Sequence, residues 1–294
     1  MAQSPRLIAS YFTLAGNLIP FAGDDPSPFD LPARARAAAE AGYVGIGLET
    51  CDVAHCIDLY GTDGIRRIIA DAGLDYVELE VLADWFADGE RRAASDARRE
   101  FLLRTAGEIG AAQVKCVGEI HLATGEAQAK GYPLPRVIDA FGDLCRDAAK
   151  VGTRVSIEIV PGSGVRDLAT ARAIVEGAGE KNGGMLIDIW HMARGGIRYE
   201  DILDLPPHLI TAIEVDDADA EQVGTIFEDT INNRRLPGEG DLDVPRFLDV
   251  IMRTGYDGVY GIEMVSSEHR ARTLENAARA SFNATMAQFA KVRG

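Results

Sequence analysis

Short runs of Val, Ile and Leu recur along the chain, each followed by a longer stretch of Ala, Leu and Arg at helical spacing. The short runs predict strands at Leu7–Tyr11, Tyr43–Glu49, Asp75–Val81, Gln113–Gly118, Arg154–Val160, Gly184–Asp188, Ile210–Val215 and Val259–Met264. Between them the pattern predicts helices at Pro32–Ala41, Gly64–Ala72, Ala93–Ile109, Leu134–Val151, Leu168–Ala178, Tyr199–Leu203, Pro245–Thr254 and Leu274–Val292. Several helical stretches stop on a glycine just before a strand, as in AEAGY, ADAGL and RTGYDG. Glycine tolerates the left-handed conformation that ends a helix. Strict alternation of strand and helix argues for parallel strands, and eight is the number that closes a barrel. An open doubly wound sheet usually carries a Gly-rich phosphate loop after an early strand, and none is present. No linker or low-complexity segment divides the chain, so residues 1–294 read as one (β/α)8 TIM barrel domain.

Alternation inside the strands then places chemistry. In a barrel, every second residue of a strand faces the axis, and the strands' C-terminal ends carry the active site. In Val155-Ser156-Ile157-Glu158-Ile159 the isoleucines face the helices, which turns Ser156 and Glu158 inward. The same alternation turns Asp188, Glu214 and Glu263 inward on the next three strands. Singly, each would read as an exposed or salt-bridged acid. Four together would repel strongly and be expensive to desolvate. A divalent cation removes that cost, because hard cations take several oxygen ligands.

Composition narrows the partners. Lys+Arg is 30 against Asp+Glu 46, a net charge of −16. A nucleic-acid-binding protein needs a basic face, so nucleic acid is excluded as a partner. The longest apolar runs, such as LIASYFTLAG, fall short of a membrane span, and no signal peptide is read at the start. The four cysteines form no C-x-x-C pair, which points to reduced thiols and a cytoplasmic location, with Cys116 and Cys145 buried.

Several segments carry a family resemblance. VSIEIVPGSG, GGMLIDIWHMARGG, ITAIEVDDADAE, NRRLPGEGDLD and YGIEM resemble the sugar phosphate isomerase/epimerase superfamily, the xylose isomerase-like (β/α)8 barrels. The likeness runs from GYVGIGLE to the final helix. Its most specific parts are the D-x-x-H of strand six and the R-x-L-P-G-E-G loop after strand seven. The resemblance implies a divalent metal held by Glu158, Asp188, Glu214 and Glu263. Relatives often carry His or Gln where this chain has Glu214. An all-carboxylate set favours Mn²⁺ or Mg²⁺, with Co²⁺ or Zn²⁺ as further options. The resemblance also implies that His191 contacts a substrate oxygen, that Glu158 and Glu263 move a carbon-bound proton, and that the protein forms a homodimer or homotetramer.

Other residues frame the expected pocket. A site this acidic needs a cation to hold an anionic oxygen, and His191 with Arg234 or Arg235 are the candidates, one arginine pointing in and the other out. Glu49 and Glu80 end strands two and three with inward phase. Trp85 and Trp190 read as substrate walls or as core fillers, and His121 as a pocket edge or a surface loop residue. Lys115 sits deeper on strand four and reads as an internal ion-pair partner. The function these residues predict is metal-dependent isomerisation or epimerisation of a keto sugar or related polyol, a small-molecule substrate. The rivals are a dehydratase acting on a keto-cyclitol or dehydroshikimate-like acid, and a metal-free barrel that binds a polyol. An abasic-site endonuclease would want more histidines than five and a basic face.

Overall fold

The computed structural model describes residues 4–20, 22–23, 25–119 and 132–293. Eight parallel strands close on themselves in chain order: β1 Leu7–Ala9, β2 Gly45–Glu49, β3 Tyr76–Leu82, β4 Gln113–Val117, β5 Arg154–Glu158, β6 Gly183–Asp188, β7 Ile210–Val215 and β8 Tyr260–Ile262. Pairing of Leu7 with Tyr260 and of Ala9 with Ile262 seals the ring and excludes an open sheet. The chain is a TIM barrel.

Each strand falls where the hydrophobic pattern predicts it, with ends shifted by up to two residues. Glu263 consequently sits one residue beyond the last laddered residue of β8. The aliphatics assigned to the outer face, among them Val155, Ile157, Ile187 and Ile213, are fully buried with Phe141, Leu144 and Phe247 in the core. Cys116 and Cys145 lie there too. The barrel's inside is polar and hydrogen-bonded. Ser156 donates to Gln113 at 2.8 Å, and Gln113 donates to Glu78 at 2.6 Å.

The helices differ from the sequence pattern in instructive ways. The expected helix Gly64–Ala72 is the second half of Thr50–Asp71, which bends where Gly61 takes a left-handed φ of 65°. Its first half is polar on several faces and is held at its start by Glu49, whose carboxylate accepts from the Cys51 amide at 2.7 Å. Tyr199–Asp204 is a 3₁₀ segment rather than an α-helix. Four short helices escape periodicity altogether: Tyr11–Leu14, Ile189–Arg194, Ile226–Asn232 and Ser267–Arg270. All four lie in the loops beyond the strands' C-terminal ends. Four to seven residues are too few to show a period, and three of the four are marked only by their capping side chains, Asp188, Thr225 and Ser266, as in the Thr225–Glu228 capping box. No helix of the described residues is long and apolar enough to cross a membrane.

His269, on the last of these short helices, gives a pH prediction. It is 3% exposed, its Nε2 lies 3.0 Å from the Thr13 carbonyl, and its Nδ1 has no partner among the described residues. Burial pushes its pKa down to about 4, against the pull of the Thr13 carbonyl. A depressed histidine pKa means the folded state binds fewer protons than the unfolded one. Its stabilisation is present above the unfolded value near 6.5 and is lost as pH falls toward 4. The stability advantage of wild type over His269→Gln should therefore shrink by about 3 kcal/mol between pH 7 and pH 4 in urea titrations. Parallel pH profiles of the two proteins would remove His269 as the source.

Candidate active site and metal centre

β5 to β8 each carry an acid at or next to their C-terminal end, and the four acids meet. Glu158, Asp188, Glu214 and Glu263 each offer an oxygen, all lying within 4.8 Å of one another. Strand register does this, with Asp188 beside Glu214 across β6–β7 and Glu214 beside Gly261 across β7–β8. Gly261 is required at that point: a Cβ there would lie 2.9 Å from Ser10 Oγ and 3.1 Å from Glu214 Cγ. Above the acids opens a cavity of about 90 Å³. Glu80, Glu158, His191, Arg234 and Glu263 supply its polar groups, and Phe12, Val81 and Val117 are among its apolar walls.

Two buried cations hold the acids apart. Arg234, 2% exposed at its side chain, reaches Asp188 and Glu263 at 2.9 Å each and also pairs with Asp216. Its guanidinium lies 5.2 Å from the centre of the Trp190 ring. Lys115 sits below, 2.8 Å from Glu78 and 3.4 Å from Glu80, and pairs with Glu214. Ser10 donates to the same Glu214 Oε1 at 2.8 Å, while Glu214 Oε2 is buried and has no hydrogen-bond partner among the described residues. His191 Nε2 lies 2.9 Å from Glu158 Oε1. The His191 backbone N–H donates to Asp188, which thereby caps the helix Ile189–Arg194.

Burial dominates the protonation pattern of these acids. Burial alone would raise the Asp188 pKa, but the charges of Arg234 and His191 outweigh it and hold Asp188 below the usual carboxylate value. Burial pushes Glu214 up to about 8 despite Lys115. Burial likewise pushes Glu263 well up, with Glu214 adding to it, and raises Asp216 and Glu80 against their cationic neighbours. The two cations do not satisfy this many acids. A divalent cation among Glu158, Asp188, Glu214 and Glu263 would supply the missing charge, and the unpartnered Glu214 Oε2 is an oxygen ready to receive it.

The arrangement sorts the residues singled out in the sequence. Arg234 faces the pocket and Arg235 does not. Arg235 is largely exposed and pairs with Asp219 at 2.7 Å, so its expected place among the substrate-binding residues is corrected. The reason is a short antiparallel bridge between Asp217 and Arg235, along which successive side chains take opposite sides. Trp85 is corrected as well. It is 1% exposed, packs on Phe86 and Phe141, and donates its indole N–H to the Val117 carbonyl at 2.8 Å. That buried packing makes it a core filler rather than a substrate wall. Lys115 is the internal ion-pair partner that its depth on strand four suggested, and Glu214 is among the acids it pairs with. Glu80 lines the pocket and accepts the Tyr11 amide at 2.8 Å, whereas Glu49 serves as a helix cap. His121 lies outside the described residues.

Three residues had not been singled out. Asp216 shares the inward phase of Glu214 two positions earlier, a signal that the alternation carried. Ser10 follows a strand too short to show a pattern. Asp217 accepts the amides of Ala218, Gly238, Gly240 and Leu242, tying the R-L-P-G-E-G loop to β7. Only the folded loop reveals that role.

Residues 35–285 match the model of the xylose isomerase-like TIM barrel family. The chain is 27% identical over 245 residues to a 3-dehydroshikimate dehydratase of Pseudomonas aeruginosa, covering 82% of this chain and 37% of that protein. It is 24% identical over 178 residues to an inosose isomerase of Halalkalibacterium halodurans, covering 60% of this chain and 62% of the isomerase. This chain thus spans less than two thirds of either relative's length. Among solved structures, the IOLI protein with a bound zinc atom shares the fold with a TM-score of 0.82 at 18% identity, covering 98% of this chain and 99% of that one.

Proposed function

The chain belongs to the xylose isomerase-like TIM barrel family, and from that premise we propose a divalent-metal-dependent isomerase or epimerase acting on a keto sugar or keto-cyclitol. The observation that carries this reading is the convergence of four acids from four successive strands beneath one pocket. Glu158, Asp188, Glu214 and Glu263 would hold the cation. Their all-oxygen set favours Mn²⁺ or Mg²⁺, with Co²⁺ or Zn²⁺ as alternatives that the zinc of the IOLI protein keeps in view. When bound, the metal supplies Lewis-acid polarisation of the substrate's carbonyl and hydroxyl oxygens.

The chain's own groups do the rest. Glu158 and Glu263 come from strands three apart around the barrel and both face the pocket, so one can take a proton from the carbon beside the carbonyl and the other can return it. Arg234 is placed to bind the oxygen on which negative charge develops, and Glu80 to accept a hydroxyl. Phe12, Val81 and Val117 offer apolar surface to the C–H face of a sugar. His191, against Glu158, would orient that carboxylate, and as a residue of the pocket lining it would contact a substrate oxygen.

The same pair supports a second reading, loss of water from a dehydroshikimate-like acid. Glu158 would take the carbon-bound proton while His191 protonates the departing hydroxyl. The likeness to a dehydratase favours it. One experiment separates the readings. The Mn²⁺-loaded protein is incubated in D₂O with inososes, keto-hexoses and 3-dehydroshikimate, and the products are weighed by mass spectrometry. Deuterium beside the carbonyl is the expected result, and a product lighter by one water moves the assignment to the dehydratase. Turnover that survives chelation would remove the metal from the reaction, and binding with no exchange at all would leave a polyol-binding barrel.

A further inference from the structure

Glu214 is built as a one-oxygen ligand. Two donors, Lys115 Nζ from the middle of β4 and Ser10 Oγ from just beyond β1, converge on its Oε1, and Ser10 Oγ and Lys115 Nζ lie 3.3 Å apart. Oε2 is left buried without a hydrogen-bond partner among the described residues, and Glu214 offers one oxygen to the cluster it forms with the other three acids. Lys115 cannot swing away, because Glu78 and Glu80 hold it from the third strand and its side chain is 3% exposed. The glycine at 261 keeps open the space in which Ser10 and Glu214 meet.

We propose that Lys115 and Ser10 are positioning residues that restrict Glu214 to monodentate coordination and so set which divalent cation the site accepts; this rests on the metal-dependent reading above. The physical argument has two parts. A carboxylate with one oxygen held by an ammonium and a hydroxyl can give only the other oxygen to a metal. Paired with Lys115, Glu214 also acts as a ligand of zero net charge, so the four ligands together bring −3 rather than −4. The first effect opposes a large, bidentate-seeking cation such as Ca²⁺, which takes 6–8 oxygens, and favours a smaller ion of lower coordination number, whereas the second lowers the affinity for any divalent cation alike. Removing Lys115 would free both Glu214 oxygens and admit the larger ion.

The test uses the full chain and two probes, Mn²⁺ and Ca²⁺. Mn²⁺ affinity is read by paramagnetic resonance of the free ion, and Ca²⁺ affinity by competition against Mn²⁺. Because both ions are divalent, a general change in local charge moves the two affinities together, and their ratio reports ligand geometry. Lys115→Met should lower the Mn²⁺-over-Ca²⁺ preference by about tenfold. Ser10→Ala, which removes one donor without changing charge, should lower it in the same direction by roughly threefold. In a Glu214→Gln background, where only one side-chain oxygen exists, Lys115→Met should leave the ratio unchanged. An unaltered ratio in Lys115→Met, or an equal fall in the Glu214→Gln background, would overturn the proposal while leaving the metal-dependent function intact. Should Lys115→Met fail to fold, Ser10→Ala decides the matter alone. Wild-type protein that binds neither ion would overturn the metal reading itself.

Discussion

Arg234→Ala should destabilise the metal-free protein by about 3–5 kcal/mol in urea unfolding, while Arg235→Ala should change it by less than about 1 kcal/mol. Two adjacent arginines on one loop then differ several-fold in effect, and burial is the reason. The Arg234 side chain is 2% exposed, and it pairs with Asp188 and Asp216, which are wholly buried, and with Glu263. Truncating it leaves three carboxylates without their cation in a low-dielectric interior, where an unpaired charge is costly. Arg235 and Asp219 are both more than a third exposed, so water and salt already screen them. Excess Mn²⁺ should recover part of the Arg234→Ala loss, because binding at 100 times Kd contributes about 2.7 kcal/mol. Equal losses for the two arginines would refute the buried-cation account.

Glu158→Gln and Glu263→Gln should each lower turnover by about 10²–10⁴-fold, the usual range for removing a general acid or base. Their effect on the fold should have the opposite sign to that of Arg234→Ala. Each change replaces a carboxyl group by a neutral amide in a crowded acidic cluster, where burial already disfavours the charged form of Glu263 and Glu214. Glutamine keeps an oxygen or amide for the hydrogen bonds to His191 and Arg234. The melting temperature of the metal-free variants should therefore hold or rise, while Mn²⁺ binding weakens. Asp188 behaves differently. It would pass in the sequence as one more removable acid, but it caps the helix Ile189–Arg194 and pairs with Arg234. Asp188→Ala should lose metal binding and stability together, the lost cap alone costing about 1 kcal/mol. A variant Glu158→Gln that keeps full turnover would take the proton transfer away from this carboxylate.

The alternation of hydrophobic and polar positions by itself determined the barrel, its eight strands and the inward phase of Glu158, Asp188, Glu214 and Glu263. It could do so because a strand has a period of two: once the apolar face is buried against helices, the other face of that strand is fixed. What a period of two does not carry is height along the barrel or the identity of a partner across it. Lys115 and Glu214 lie 99 positions apart in the chain, and only the closure of β4 and β7 around one axis brings the ammonium to the carboxylate. Loops carry no period at all. The choice between Arg234 and Arg235 was made by one antiparallel bridge to Asp217, and the fate of Trp85 by a carbonyl at the end of β4. Side-chain direction on a strand is local and therefore legible in the sequence, whereas charge pairing and loop placement depend on contacts between distant segments, and these exist only once the ring has closed.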